Sequence, residues 1–246
     1  THSLKLDGQL VWVGESQLVQ TRYTPTHLSE SILDVTSSGY LERDQQGATN
    51  FFNYNYWSSP VSAINPWVNN AGHNVDMILR DGTNSANPLP LNWTESYDPK
   101  PNTSGKTLSR RWIYAYLNST SNTYANWRYL REVLYFKVGI GYTMKGSGAP
   151  GTLQNYVFVG KPNNGDITTP VNLGNSALIG NPYHSALNAR EFIKNNIPLL
   201  NPNGSTNNAA NPDTTVSIDG TLYFWIHFDS KNKKILRDYE RGYATY

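Results

Sequence analysis

The chain has 246 residues, 20 Lys and Arg against 18 Asp and Glu, a net charge of +2, 15% charged residues and no Cys. Such a balance excludes the basic footprint of a nucleic-acid binder, and the missing Cys excludes a disulfide framework, a zinc–thiolate centre and a cysteine nucleophile. No apolar run reaches the roughly 18 residues that a membrane helix needs, so the chain is expected not to span a membrane.

In chain order, Leu4–Leu6 and Gln9–Val13 flank Asp7-Gly8 and predict a hairpin about a type I′ turn. Gln17–Gln20 adds a short strand, and residues 32–44 hold short alternating pieces. Phe51–Trp57 is an aromatic strand stopped by Ser58-Ser59-Pro60. From Asn65 to Lys106 the turn residues (Asp81-Gly82, Pro88, Pro90, Pro99, Pro101) predict long loops around one strand at Val75–Arg80. Strands return at Arg111–Leu117, Glu132–Val138, Tyr142–Lys145 and Tyr156–Val159. One helix is expected near 188–197, where Ala189, Phe192, Ile193 and Ile197 form a single stripe, Asn188 with Glu191 makes a capping box and Pro198 stops it. The last hairpin joins Thr215–Ile218 to Thr221–Phe228 through Asp219-Gly220, and its second arm alternates with strict period two.

The fold class is therefore all-β, an antiparallel, jelly-roll-like β-sandwich with one short helix. Trp12, Trp57, Trp112 and Trp225 lie in strand patterns and are expected in the core. Trp57-Ser58-Ser59-Pro60-Val61-Ser62-Ala63-Ile64 is echoed by Ile179–Leu187, which suggests two related halves. The expected organisation is an N-terminal short-strand segment at 1–48 and a sandwich at 49–246, with halves at 49–170 and 171–246. The 29 Asn, 19 Gly and 14 Pro supply turns throughout, and with 17 Tyr and few charges they suit a polar, uncharged, extracellular surface.

Motifs for chemistry are weak. Gly105-Lys106-Thr107 imitates the end of a P-loop, but Lys100 stands where the opening Gly belongs. Gly174-Asn175-Ser176-Ala177-Leu178 lacks the second Gly of a nucleophile elbow. His2, His27, His73, His184 and His227 show no metal-binding spacing. Asp81, Asp98 and Asp166 sit in loops, where a glycosidase carboxylate pair would lie, although such acids are ordinary turn formers. No cofactor is expected, and loop-bound calcium held by Asp and backbone carbonyls is left open. The ligand-binding candidates are Trp67, Trp93 and Tyr97, flat rings in the loop-rich section that suit stacking on sugar C–H faces. The plainer reading is that these rings pin long loops to the body.

The order of motifs is more specific than any one of them. Asn53-Tyr54-Asn55-Tyr56-Trp57-Ser58-Ser59-Pro60-Val61 is followed by Gly141–Gly146, Tyr156–Ile167, Leu178–Tyr183, Ser185-Ala186-Leu187 and Gly220–Trp225. The series resembles a β-rich module of large secreted and surface proteins of Bacteroidota exported by the type IX secretion system. The resemblance runs from about Asp7 to Tyr246, and His184 departs from it, standing where such modules commonly have Pro. It implies an extracellular, non-catalytic, adhesin-like module, with Asp7–Thr21 as the last turns of preceding repetitive β-structure. It also implies an O-glycan on Thr214 of Asp213-Thr214-Thr215. The chain is then expected to be a piece of a longer polypeptide whose second half lacks a closing strand, and the partners to be neighbouring domains or chains of a surface assembly. The function expected is structural or adhesive, without catalytic residues or metal ligands. A carbohydrate-binding module, with glycans as partners, is the alternative, and a glycoside hydrolase or other hydrolase domain the second.

Overall fold

The computed structural model describes residues 2–12, 16–21, 30–99, 106–120, 124–196, 199–200, 206–207, 223–227 and 241–245. The strands are β1 (His2–Lys5), β2 (Gln9–Trp12), β3 (Ser31–Asp34), β4 (Tyr40–Ala48), β5 (Tyr54–Trp57), β6 (Val61–Ser62), β7 (His73–Asn74), β8 (Leu79–Asp81), β9 (Leu89–Pro90), β10 (Asn92–Thr94) and β11 (Thr107–Ser109). They continue with β12 (Tyr114–Tyr116), β13 (Ser119–Thr120), β14 (Trp127–Tyr129), β15 (Tyr135–Phe136), β16 (Tyr142–Lys145), β17 (Leu153–Pro162), β18 (Asn175–Ser176), β19 (Leu199–Leu200), β20 (Thr206–Asn207), β21 (Tyr223–His227) and β22 (Arg241–Thr245). Two short helices accompany them, α1 (Val75–Ile78) and α2 (Ala189–Asn196). The chain is all-β, as its alternating runs and dense turns predict.

Contacts divide the chain into two compact units, Thr1–Ala186 and Leu187–Tyr246. The boundary falls near the expected helix. In the first unit one sheet runs β2-β4-β17-β8-β9, with β6 also on β17, and a second runs β14-β12-β16-β5. Trp57 of β5 meets Tyr156 and Phe158 of β17, with ring centroids 5.4 Å and 5.8 Å apart. Around them Val61, Ile78, Leu79, Leu108, Tyr142 and Met144 complete one dry core. Each of these removes a large apolar side chain from water, worth about 1.5–3 kcal/mol apiece before entropy.

The expected first hairpin is corrected. β1 and β2 do not pair with each other; β1 lies parallel to β3 and β2 parallel to β4. One strand–corner–strand rung is stacked on another. The corner explains why: Gly39 N donates to Leu6 O (2.5 Å) and Tyr40 N to Gly8 O (3.1 Å). A β-carbon on Gly39 would collide with the Gly8 backbone, so the close approach needs glycine. From β17 the buried Lys161 ammonium donates to Ser37 O (2.5 Å), Ser37 Oγ (3.1 Å) and Gly39 O, filling the donor capacity of its three N–H groups. β10 and β11 are also parallel, so the sheets are not purely antiparallel.

Other local readings shift in type. The strand expected at Val75–Arg80 is the single turn α1 followed by β8: Val75, Ile78 and Leu79 are buried at i, i+3 and i+4, the helical stripe. Arg111–Leu117 opens as a 3₁₀ turn at Arg110–Trp112, capped by Ser109 Oγ, before β12. Within Glu132–Val138 only Tyr135–Phe136 is strand, and Gln17–Gln20 is not strand. Tyr142–Lys145 is a strand as read.

In the second unit α2 lies where the stripe predicts it. Its cap is Asn188, whose Oδ1 accepts from Glu191 N at 3.2 Å. β19 pairs with β20 and β21 with β22, both antiparallel. Thr215–Ile218 and Thr214 lie outside the described residues.

Candidate functional site

The expected ligand residues fall in three different places. Trp67 is 96% exposed beside the exposed Val68. Trp93 is half-buried in β10 and packs on the core, the plainer of its two readings. Tyr97 is 59% exposed, its ring 5.5 Å from that of Trp112, with the Arg111 guanidinium 4.7 Å over its face. Trp112 is therefore not a core residue. It is half-buried on the outer side of the four-stranded sheet, where the Lys145 ammonium lies 3.6 Å from its ring centroid and 4.6 Å from that of Tyr54. Burial lowers the Lys145 pKa to about 8, against the opposing pull of Asp98. Trp12 is half-buried, while Trp57 is a core residue as read.

A cleft of about 750 Å³ opens in the first unit. One wall is the end of β5 with the turn after it, Tyr56, Trp57, Ser58 and Pro60. Ser59 Oγ fixes that turn, accepting from Val61 N (3.1 Å) and donating to Val61 O (2.7 Å). The facing wall is the 178–186 segment. Leu178 and Gly180 are tied by Leu178 N to Tyr116 O (2.8 Å) and Gly180 N to Gly139 O (3.0 Å). Asn181 then makes an Asx turn to Tyr183 N (3.1 Å) and donates Nδ2 to Ser185 O (2.7 Å). Asn163 Nδ2 holds Pro182 O (2.8 Å), and the Tyr183 hydroxyl donates to Gly165 O (2.6 Å). Gly180 packs so closely on Ser58 that a β-carbon would collide with it. The two echoing segments of the sequence are thus brought face to face across the cleft.

β4 supplies Arg43, Gln45 and Gln46, and Gln17 closes the rim, accepting from Ala186 N at 3.0 Å. Arg43 donates to Ser16 O at 2.6 Å. Among the described residues the lining contains this one cation and no carboxylate. Trp57 Nε1, Ser58 Oγ and both ring nitrogens of His184 have no hydrogen-bond partner in the protein. Burial, with the Arg43 charge adding to it, holds the His184 pKa down at about 3, so the ring is neutral at pH 7. It is bonded to no serine hydroxyl, and so weak a base is poorly matched to proton transfer near neutrality.

A smaller cleft of about 430 Å³ shares Tyr183 and Ser185 and adds Glu30 and Asp166. Asp81 is not among these residues: its carboxylate accepts from Thr83 N (2.9 Å), Thr83 Oγ1 (2.6 Å) and Lys106 N (3.1 Å), the work of a turn former. Among the described residues no group of three or more His, Asp or Glu is placed to hold a metal ion. No helix among them is long and apolar enough to cross a membrane.

Sequence reasoning missed Gln17, Gln45, Gln46, Ser58 and His184 as a set. Their common signal was the echo between 57–64 and 179–187, together with the polar stretch inside β4.

Residues 94–246, more than half of the chain, match a family described as a domain of unknown function (DUF8693). The match takes in the 178–186 wall and stops short of Tyr56, Ser58 and the β4 residues. No curated protein and no solved structure matches the chain.

Proposed function

The chain belongs to the DUF8693 family, and for this member of it we propose a non-catalytic adhesive module of a larger extracellular protein that binds a neutral glycan in the cleft. The single observation that carries the reading is chemical. Among the described residues the lining combines the rings of Tyr56 and Tyr183 with the primary amides of Gln17, Gln45, Gln46 and Asn181, and it carries no carboxylate. Sugars present apolar C–H faces to rings and hydroxyls to neutral donors and acceptors. The secreted context is supported by the sparsely charged, Asn-rich composition, and type IX export by the resemblance of the motif series.

Gln45→Ala tests the reading. Gln45 is an exposed residue of β4 that lines the cleft, so its truncation leaves folding stability within about 0.5 kcal/mol. Binding to a glycan found on an array of neutral oligosaccharides should fall roughly five- to tenfold, the worth of one hydrogen bond. Undiminished binding by Gln45→Ala, or cleavage of the glycan by the protein, contradicts the proposal. Cleavage would instead turn attention to Glu30 and Asp166.

A further inference from the structure

The four-stranded sheet has a second surface on its solvent side. Its register sets Tyr129 opposite Tyr114, Tyr114 opposite Thr143, and Thr143 opposite Tyr56. The line crosses three strand spacings, about 14 Å at the usual separation of paired strands. Side chains alternate, so Trp57, Tyr142, Met144 and Ala115 go into the core while the tyrosines go outward. Tyr129 is 41% exposed and Tyr56 39%, and Tyr124 and Tyr97 stand more exposed at the margins. The Tyr114 and Tyr129 rings lie 5.4 Å apart.

Two features decide what such a face fits. No strand of this sheet carries an Asp or Glu, and of the cations beside the rings Lys145 and Arg111 lie on ring faces while Arg128 of β14 is exposed. Tyrosines offer a flat apolar face and a hydroxyl edge together, which suits a ligand with C–H faces and hydroxyls. Tyr56 ends the row and also lines the cleft, so the two surfaces are continuous.

Resting on the cleft reading, we infer that the ligand is an extended neutral polysaccharide whose chain lies along the Tyr129–Tyr114–Tyr56 row and enters the cleft beside Gln45. A polymer therefore has contacts that a short oligosaccharide lacks.

The test uses the full chain, affinity electrophoresis in gels containing xyloglucan, mixed-linkage β-glucan, galactomannan or α-mannan, and calorimetry with the trisaccharide of whichever polymer retards the protein. Two variants are compared after their thermal midpoints are checked: Tyr114→Ala with Tyr129→Ala on the face, and Gln45→Ala in the cleft. The inference predicts that the face variant loses tenfold or more in polymer affinity and keeps its trisaccharide affinity, while Gln45→Ala weakens both. Full polymer binding by the face variant overturns this inference alone and leaves the cleft reading standing. Polymer binding that ignores Gln45→Ala overturns the cleft reading. A wild-type chain that no polymer retards, and that associates with itself when sized, overturns the inference in favour of a protein interface.

Discussion

β17 and β5 sit on opposite sides of one core, and solvent treats them differently. β17 runs through the middle of the six-stranded sheet with every residue from Tyr156 to Pro162 buried, covered on both faces. β5 is the edge of the four-stranded sheet: Trp57 goes into the core while Tyr56 faces out. Both strands are rich in rings, yet only one set of rings is structural. A ring's role here follows from whether its sheet is covered on one side or two, and not from its residue type.

The largest effect should come from the covered strand. Phe158→Ala removes a side chain that is 1% exposed and should cost about 3–5 kcal/mol in urea unfolding. A loss below about 1 kcal/mol would mean that the two sheets do not share a packed core.

Acid should act next, again through burial. His73, 2% exposed and stacked on Phe136, is held by burial at a pKa of about 3, as His184 is by burial and Arg43. In the unfolded chain each regains an ordinary value near 6.5. Between these values the unfolded state binds more protons, so stability is full above pH 6.5 and falls as pH drops toward 3. The two rings together contribute on the order of several kcal/mol to that slope. His73→Phe should flatten the fall between pH 6 and 4 in denaturant titrations; an unchanged slope would mean that His73 is solvated.

Lys161→Met tests the corner that locks the stacked rungs. It leaves the Ser37 and Gly39 carbonyls without their donor and should cost about 2–3 kcal/mol. Hydrogen exchange should rise first at Gly39 and Tyr40, whose amides hold the upper rung. Uniform exchange changes across the unit would contradict a local role. On the open face the effect on folding should be smallest: Tyr129→Ala should change stability by less than about 1 kcal/mol while weakening polymer binding.

Legibility in the sequence follows the same division. Tyr142–Lys145, the β17 run and α2 with its Asn188 cap were readable because apolar period and flanking turn residues agreed. β4 was readable only in pieces, since Glu42-Arg43-Asp44-Gln45-Gln46 carries no apolar alternation and is a strand because β2 and β17 flank it. The Asp7-Gly8 corner looked like a hairpin because local chemistry cannot reveal that each arm has a parallel partner some thirty residues away. Trp112 looked like core because a strand pattern does not say which face is wet. His184 drew attention as a departure from a motif, and only the fold places it across from Ser58 in one cleft.

Tyr56 belongs to both surfaces, so it tests the central claim most directly. Calorimetric titration of Tyr56→Ala with the glycan that wild type binds should show affinity reduced tenfold or more in a variant that still unfolds cooperatively. Wild-type affinity in that variant would contradict a glycan site built from the cleft and the sheet edge.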